Sequence, residues 1–189
     1  MLGVDFMLHG AVSAGNIDEV KTLLAQGVDN NTKGYLGKTA LFICVHYDKV
    51  ECVRTLINSG ANVNTGTEYG VTPLMQAAGN AQECIIGLLV AAGADLDIRT
   101  PCGGSAVHFE VIRSHWDIVQ ALLLAGAALT HDDMSILPKG EPRSVRESMV
   151  WILAALTTIV AWVGPKYCPP SLLHIATTNI RRTRASFFP

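Results

Sequence analysis

Residues Gly70 to Asp97 read GVTPLMQAAGNAQECIIGLLVAAGADLD, and this segment has a copy on either side of it. A shift of 33 positions moves Gly70 onto Gly37 in one direction and onto Gly103 in the other. The same shift relates one aliphatic position in three units, namely Leu41, Leu74 and Val107. It also relates three Gly-Ala pairs, namely Gly60-Ala61, Gly93-Ala94 and Gly126-Ala127. One further step back reaches Leu8, His9 and Gly27, so the chain contains four units in one register.

Each unit contains two short runs with apolar residues at helical spacing. In the first unit, Gly15 separates a stripe of Leu8, Ala11 and Val12 from a second stripe, which consists of Ile17, Val20, Leu23 and Leu24. Helices of this length are unstable alone in water. The two helices of a unit must therefore pack against each other and against the next unit.

Helix ends can be placed from the polar and glycine positions. Thr39 and Thr72 suit helix N-caps, and Gly27 suits a left-handed helix end, after which Asn30-Asn31 is predicted to begin an exposed turn. The position of Gly15, between the two helices, holds Asp48, Ala81 and Ser114 in the other units. A left-handed conformation there costs more than it does with glycine.

A 33-residue period of this composition resembles the ankyrin repeat, over roughly residues 4–130. The resemblance implies an all-α solenoid of helix-turn-helix units, followed by an irregular helical C-terminal region. The expected array, 1–130, has repeats at about 4–36, 37–69, 70–102 and 103–135. An irregular linker at 131–147, an apolar helix at 148–164 and a tail at 165–189 complete the predicted organisation.

Composition excludes several functions. A formal net charge of −2 and a pI near 6.3 provide no basic face for nucleic acid. The five cysteines form no C-x-x-C pair, and Cys44, Cys52 and Cys84 lie at apolar helix positions, which suits a reducing compartment. No catalytic, metal or cofactor motif is present, so we predict a non-enzyme without cofactor or metal. We expect a cytoplasmic protein, with a nuclear or membrane-associated location as the alternatives.

The segments that connect the units are the predicted contact surface for a protein partner. Residues 30–36, 62–69 and 96–102 stand at one phase of the period, and Tyr35, Tyr69 and Arg99 are the candidate binding residues on them. The partner's identity is not encoded in these segments.

Two kinds of residue in the array need a specific environment. The resemblance implies that His9, His108 and His174, which share one slot, are structural and hydrogen-bond backbone between neighbouring repeats. Glu110 stands where other units have Ala11 and Ala77, so its carboxylate must reach solvent or find a donor.

The composition changes after residue 130. Residues 148–165 carry no charge, and two interpretations of them remain open. As a membrane helix the run would span about 27 Å, which is just short of a bilayer core of ~30 Å. As the second helix of a degenerate fifth repeat it would cover the apolar face of the last repeat, and we favour this cap.

The tail, CPPSLLHIATTNIRRTRASFFP, resembles the start of a SOCS box, the element through which ankyrin-SOCS proteins recruit Elongin B/C. The family's pattern is met by Leu172, Ala176 and Ile180, with Ala176 in place of the usual cysteine. This resemblance implies a substrate-recognition adaptor of a ubiquitin ligase. The alternatives are a decayed sixth repeat and an unstructured basic tail, which would leave an ankyrin scaffold or decoy that residues 148–165 could tether to a membrane.

Overall fold

The computed structural model describes residues 2–128, and every regular element in this range is helical. The helices are α1 Leu2–Ala14, α2 Ile17–Ala25, α3 Ala40–His46, α4 Val50–Asn58, α5 Pro73–Gly79, α6 Glu83–Ala91, α7 Ala106–Ile112 and α8 Trp116–Ala125. A single turn of 3-10 helix lies at Tyr35–Gly37. The predicted all-α class of paired helices is confirmed. The described residues divide into two units, 2–106 and 107–128.

The first unit consists of three helix pairs stacked in two rows. Each pair is packed internally, as α1 on α2, α3 on α4 and α5 on α6. The first helices also contact one another in the order α1, α3, α5, and the second helices in the order α2, α4, α6. The apolar stripes predicted from the sequence lie between the rows, where Leu8, Val20, Leu41, Val53, Leu74, Ile85 and Leu89 are buried. Each of these side chains contributes about 1.5–3 kcal/mol by leaving water.

The predicted threonine caps are confirmed. Thr39 Oγ1 accepts the backbone N–H of Phe42 at 3.2 Å, and Thr72 Oγ1 accepts that of Met75 at 3.3 Å. Pro73 occupies the first helical turn of α5, where its missing N–H would have no partner in any case. These caps fix where the first helix of a pair begins, and so where the preceding loop ends.

The turn inside each helix pair is left-handed whether or not it contains glycine. Gly15 has φ +72°, and the same position has φ +55° at Asp48, +55° at Ala81 and +58° at Ser114. A left-handed residue with a Cβ costs about 1–2 kcal/mol relative to glycine. The packing of the two helices outweighs that cost in three of the four units.

Glycine closes the second helix of each pair in the first unit, as predicted. Gly27, Gly60 and Gly93 follow α2, α4 and α6 with φ between +81° and +84°. Because nothing lies within 4 Å of a Cβ built at Gly93, the demand for glycine there is purely conformational.

The described part of the second unit is the pair α7 and α8. Its buried apolar side chains include Val107, Val111, Ile118, Val119 and Leu122. None of the helices within residues 2–128 is both long and apolar enough to cross a membrane. The run at 148–165, and with it both interpretations proposed for it, lies outside this range.

Candidate partner-binding surface

Three loops join successive helix pairs, and we call them fingers 1, 2 and 3, for residues 30–38, 63–71 and 96–104. Each finger is closed by the same backbone hydrogen bond at the same phase of the period. Gly34 N–H donates to Lys38 O at 2.8 Å, Thr67 N–H to Val71 O at 3.0 Å and Thr100 N–H to Gly104 O at 2.8 Å. The 33-residue period therefore sets the conformation of the fingers as well as that of the helices.

Fingers 1 and 2 are bonded to each other. The backbone N–H of Glu68 donates to Leu36 O at 3.1 Å, and Lys33 Nζ donates to Gly66 O at 3.2 Å. One period later the position of Glu68 is occupied by Pro101, which has no N–H to donate. Pro101 instead packs on Gly70, where an added Cβ would lie 2.8 Å from Pro101 Cδ.

The bases of the fingers are linked by a chain of Asn and Asp side chains, which we call the Asx ladder. Within a finger base, Asp29, Asn62 and Asp95 each accept the N–H two residues ahead at 2.9 Å. Between finger bases, Asn31 Oδ1 accepts Asn62 N–H and Asn64 Oδ1 accepts Asp95 N–H, both at 2.8 Å. The ladder holds three successive fingers at a fixed offset.

This ladder was not predicted from the sequence, and the prediction that Asn30 begins an exposed turn is wrong. That residue is only 8% exposed, because its side chain donates to Ser59 O of the next repeat at 2.8 Å. The available signal was the recurrence of Asn or Asp at a spacing of 33, in the series Asp29, Asn62, Asp95 and in the series Asn31, Asn64, Asp97.

The two candidate tyrosines lie on the bonded pair of fingers. Tyr35 is 81% exposed on finger 1, and Tyr69 is 65% exposed on finger 2. Leu36, next to Tyr35, is the residue of finger 1 that is bonded to finger 2. Its backbone is left-handed, with φ 58° and ψ 28°, although it is not glycine. Such a strained residue costs of order 1–3 kcal/mol and persists only where the surroundings over-determine it. Here the Leu36 carbonyl accepts the bond from finger 2.

Arg99, the third candidate, is exposed on finger 3. Its Nη1 donates to Gly103 O at 2.7 Å, so the guanidinium braces its own finger. The structure thus places the tyrosines on two fingers that are directly bonded and places Arg99 on the neighbouring one.

Two lysines lie at one end of finger 1. The bond between Gly34 and Lys38 brings the backbones of Lys33 and Lys38 near each other, and Lys38 Nζ lies 5.9 Å from the centroid of the Phe42 ring. Across the described residues, 2–128, no carboxylate lies within ion-pair distance of either ammonium group. The finger therefore presents positive charge that no acidic side chain in this range neutralises.

Comparison with known proteins shows what these repeats are similar to. Residues 8–100 match the family model for ankyrin repeats in three copies. The chain is also 34% identical over 122 residues to the putative ankyrin repeat protein YahD of Escherichia coli (strain K12), a match that covers 65% of this chain. The match spans 60% of the length of that relative.

The ankyrin resemblance of the array is thereby supported, and the SOCS-box resemblance of the tail receives no support from either comparison. The predicted Elongin contacts Leu172, Ala176 and Ile180 lie outside the described residues. So does His174, and the fourth predicted repeat lies beyond the residues matched by the family model.

The His9 ring lies against finger 1. A Cβ added at Gly34 would lie 2.7 Å from both Nδ1 and Cε1 of the His9 ring. The imidazole therefore packs closely on the backbone of finger 1. Gly34 is required there because any larger residue would displace the ring. In the second unit, His108 meets the Phe109 ring edge to face, with centroids 5.9 Å apart.

Glu110 is fully buried and has found donors, as the sequence required. Its carboxylate accepts Arg113 Nη1 at 3.0 Å through one oxygen and lies 2.7 Å from His115 Nδ1 through the other. Both partners are exposed over nearly half of their side chains. The cluster joins the end of α7 to the start of α8, and we assign it a structural role.

The cysteines match the prediction in part. Cys44 and Cys52 are buried together in the second repeat, where desolvation raises the pKa of both thiols. Cys84 is exposed, so the prediction that it occupies an apolar position is wrong. It stands one period after Glu51, on the outward side of the second helix. Among residues 2–128 no group of three or more His, Cys, Asp or Glu could hold a metal ion.

Proposed function

We propose that this chain binds another protein through fingers 1 and 2 of its ankyrin repeats. The observation that carries the proposal is the exposure of Tyr35 and Tyr69 on two fingers whose backbones are hydrogen-bonded to each other. Ankyrin repeats are generally a protein-interaction domain and not a catalytic one, and the match over residues 8–100 supports a function of that class.

The rigidity of the fingers favours binding. A tyrosine that is already held by ordered backbone loses little conformational freedom when a partner covers it. Tyrosine also combines a large apolar ring with a hydroxyl, and it is enriched among residues that dominate interface energies. Truncation of such an anchor typically costs about 2 kcal/mol or more, which is roughly a thirtyfold loss of affinity.

The test is affinity purification of partners with the intact chain, followed by quantification of each captured protein. We expect capture to fall at least tenfold with the Tyr35→Ala/Tyr69→Ala double variant. Tyr47→Ala is the matched control, because Tyr47 is also an exposed tyrosine, 52% accessible, but lies at the end of α3. Equal capture by the finger variant and the parent would refute the proposed surface.

The role as a SOCS-box adaptor is a separate proposal, supported by the pattern of Leu172, Ala176 and Ile180 in the sequence. Titration of the intact chain with the purified Elongin B–Elongin C pair tests it, with Leu172→Asp as the non-binding variant. If the chain does not bind the Elongin pair, or binds it equally well after that substitution, the proposed ligase role is refuted. The proposed ankyrin interaction would stand as a scaffold or decoy function.

A further inference from the structure

We propose that fingers 1 and 2 recognise an acidic peptide segment of the partner protein. This inference rests on the proposed function and adds the chemistry of the partner to it. The shape of the fingers alone would accept many partners, so the positions of the charged residues within 2–128 decide which ligand chemistry fits.

Positive charge is concentrated on finger 1 although the protein as a whole is acidic. Finger 1 carries Lys33 and Lys38 and no acidic residue, finger 2 carries Glu68, and Asp29 lies at the base of finger 1, whereas the whole chain has a net charge of −2. The second helices carry the opposite sign in their first turns, through Asp18, Glu19, Glu51 and Glu83. An acidic segment is therefore drawn to finger 1 and repelled from the first turns of the second helices.

The two lysines are positioned to receive carboxylates. Lys33 Nζ donates one hydrogen bond to Gly66 O at 3.2 Å. Because an ammonium group can donate three, two donors remain. Lys38 Nζ faces the Phe42 ring at 5.9 Å, which holds it beside the start of α3 without consuming a hydrogen bond. Both ammonium groups can therefore donate to an incoming carboxylate while they keep their present contacts.

The tyrosines extend the same surface to finger 2. Tyr35 lies two residues from Lys33 on finger 1. The hydrogen bond from Glu68 N–H to Leu36 O brings finger 2, which carries Tyr69, beside it. The left-handed conformation of Leu36 directs its carbonyl toward that bond, so the backbones of the two fingers are already paired before any ligand arrives. A peptide with acidic residues next to apolar ones matches this combination of lysine and tyrosine.

Glu68 gives the proposal an internal sign test. Its side chain lies against finger 1, where a Cβ added at Gly37 would be 3.1 Å from Glu68 Cγ. A carboxylate in that place opposes an acidic ligand. Neutralisation of Glu68 should therefore strengthen binding, whereas neutralisation of either lysine should weaken it. A surface that recognised its ligand by shape alone would show neither change in affinity.

The experiment starts with a phage-displayed library of random dodecapeptides selected on the intact chain. One enriched peptide is then labelled with fluorescein and titrated by anisotropy against the parent and single variants. We expect enriched peptides to be acidic, affinity to fall about three- to fivefold for Lys33→Gln or Lys38→Gln, and affinity to rise two- to threefold for Glu68→Gln. Lys21→Gln, on the exposed side of α2, is the matched control and should change nothing.

Three results would overturn the inference. One is a library that yields no binders. Another is a set of binders that either lack excess negative charge or bind with affinities that the lysine and Glu68 substitutions do not change. The third is equally tight binding of a twelve-nucleotide oligothymidine, which would show general attraction to polyanions. Partner capture that still depends on Tyr35 and Tyr69 would preserve the proposed function in each case. Loss of that dependence would remove both.

Discussion

The substitution Arg113→Ala tests how the fourth helix pair tolerates a carboxylate at a position where two other repeats have alanine. Glu110 is fully buried, and its two side-chain partners are Arg113 Nη1 at 3.0 Å and His115 Nδ1 at 2.7 Å. Removal of the guanidinium leaves a buried negative charge with one side-chain donor.

The magnitude follows from which member of the cluster is buried. Loss of one partner from a buried ion pair costs about 3–5 kcal/mol. His115 remains bonded and the Arg113 side chain is 47% exposed, so water can reach the vacated side, and we expect ~2 kcal/mol. Glu110→Ala removes the buried charge itself and releases both donors to water. Its remaining cost is a small cavity, worth about 1 kcal/mol.

The double variant Glu110→Ala/Arg113→Ala should therefore be as stable as Glu110→Ala alone, to within about 0.5 kcal/mol. Urea unfolding of all four proteins, followed by circular dichroism, measures the free energies of unfolding. Hydrogen-exchange mass spectrometry over α7 and α8 checks that the loss is local. If Glu110→Ala proves more destabilising than Arg113→Ala, the assignment of Glu110 as the costly member of the cluster is wrong.

Four further outcomes follow from the repeats. Ala81→Gly should raise the free energy of unfolding by about 0.5–1 kcal/mol, because relief of the left-handed strain exceeds the added entropy of the unfolded chain; an unchanged melting temperature would contradict this. Gly93→Val should lower it by about 1–2 kcal/mol through backbone strain, measured in the same melts, and equal stability would mean that φ is not constrained there. Asn64→Ala breaks one link of the Asx ladder and should cost about 1 kcal/mol and speed amide exchange in finger 3, which an unaltered exchange rate would disprove. In the native protein Cys84 should react with a thiol reagent within minutes while Cys44 stays protected, and equal rates would argue against the burial of Cys44.

The helical part of the fold could be predicted because it repeats. A period of 33 residues, the stripes such as Leu8 with Val12, and the capping Thr39 and Thr72 each point to the same helix pairs. When four copies of a pattern agree, the noise in any one of them matters little. The left-handed turn at Ala81 was likewise visible from its alignment with Gly15.

The candidate surface was less predictable, because its decisive contacts join segments about one period apart. The positions of Tyr35 and Tyr69 could be read from the sequence, but the bond that pairs their fingers depends on Leu36 adopting a conformation that leucine rarely takes. The orientation of Cys84 was missed because it is one apolar residue in an almost wholly apolar helix, where periodicity carries little information. The partners of Glu110 lie only three and five residues away, and a search for nearby cations would have found them.

The Asx ladder makes the number of repeats adjustable. The acceptor side chain of every link between finger bases stands at a position that recurs every 33 residues. Duplication or deletion of a block of that length would therefore again place an Asn or Asp side chain beside the backbone N–H of the next finger base. Insertion of a single residue between Asp29 and Asn31 would instead displace the acceptor of the link to the following finger as well as the donor of the link within its own base. Addition of a whole repeat would therefore preserve the ladder, whereas an insertion of intermediate length at a finger base would break it.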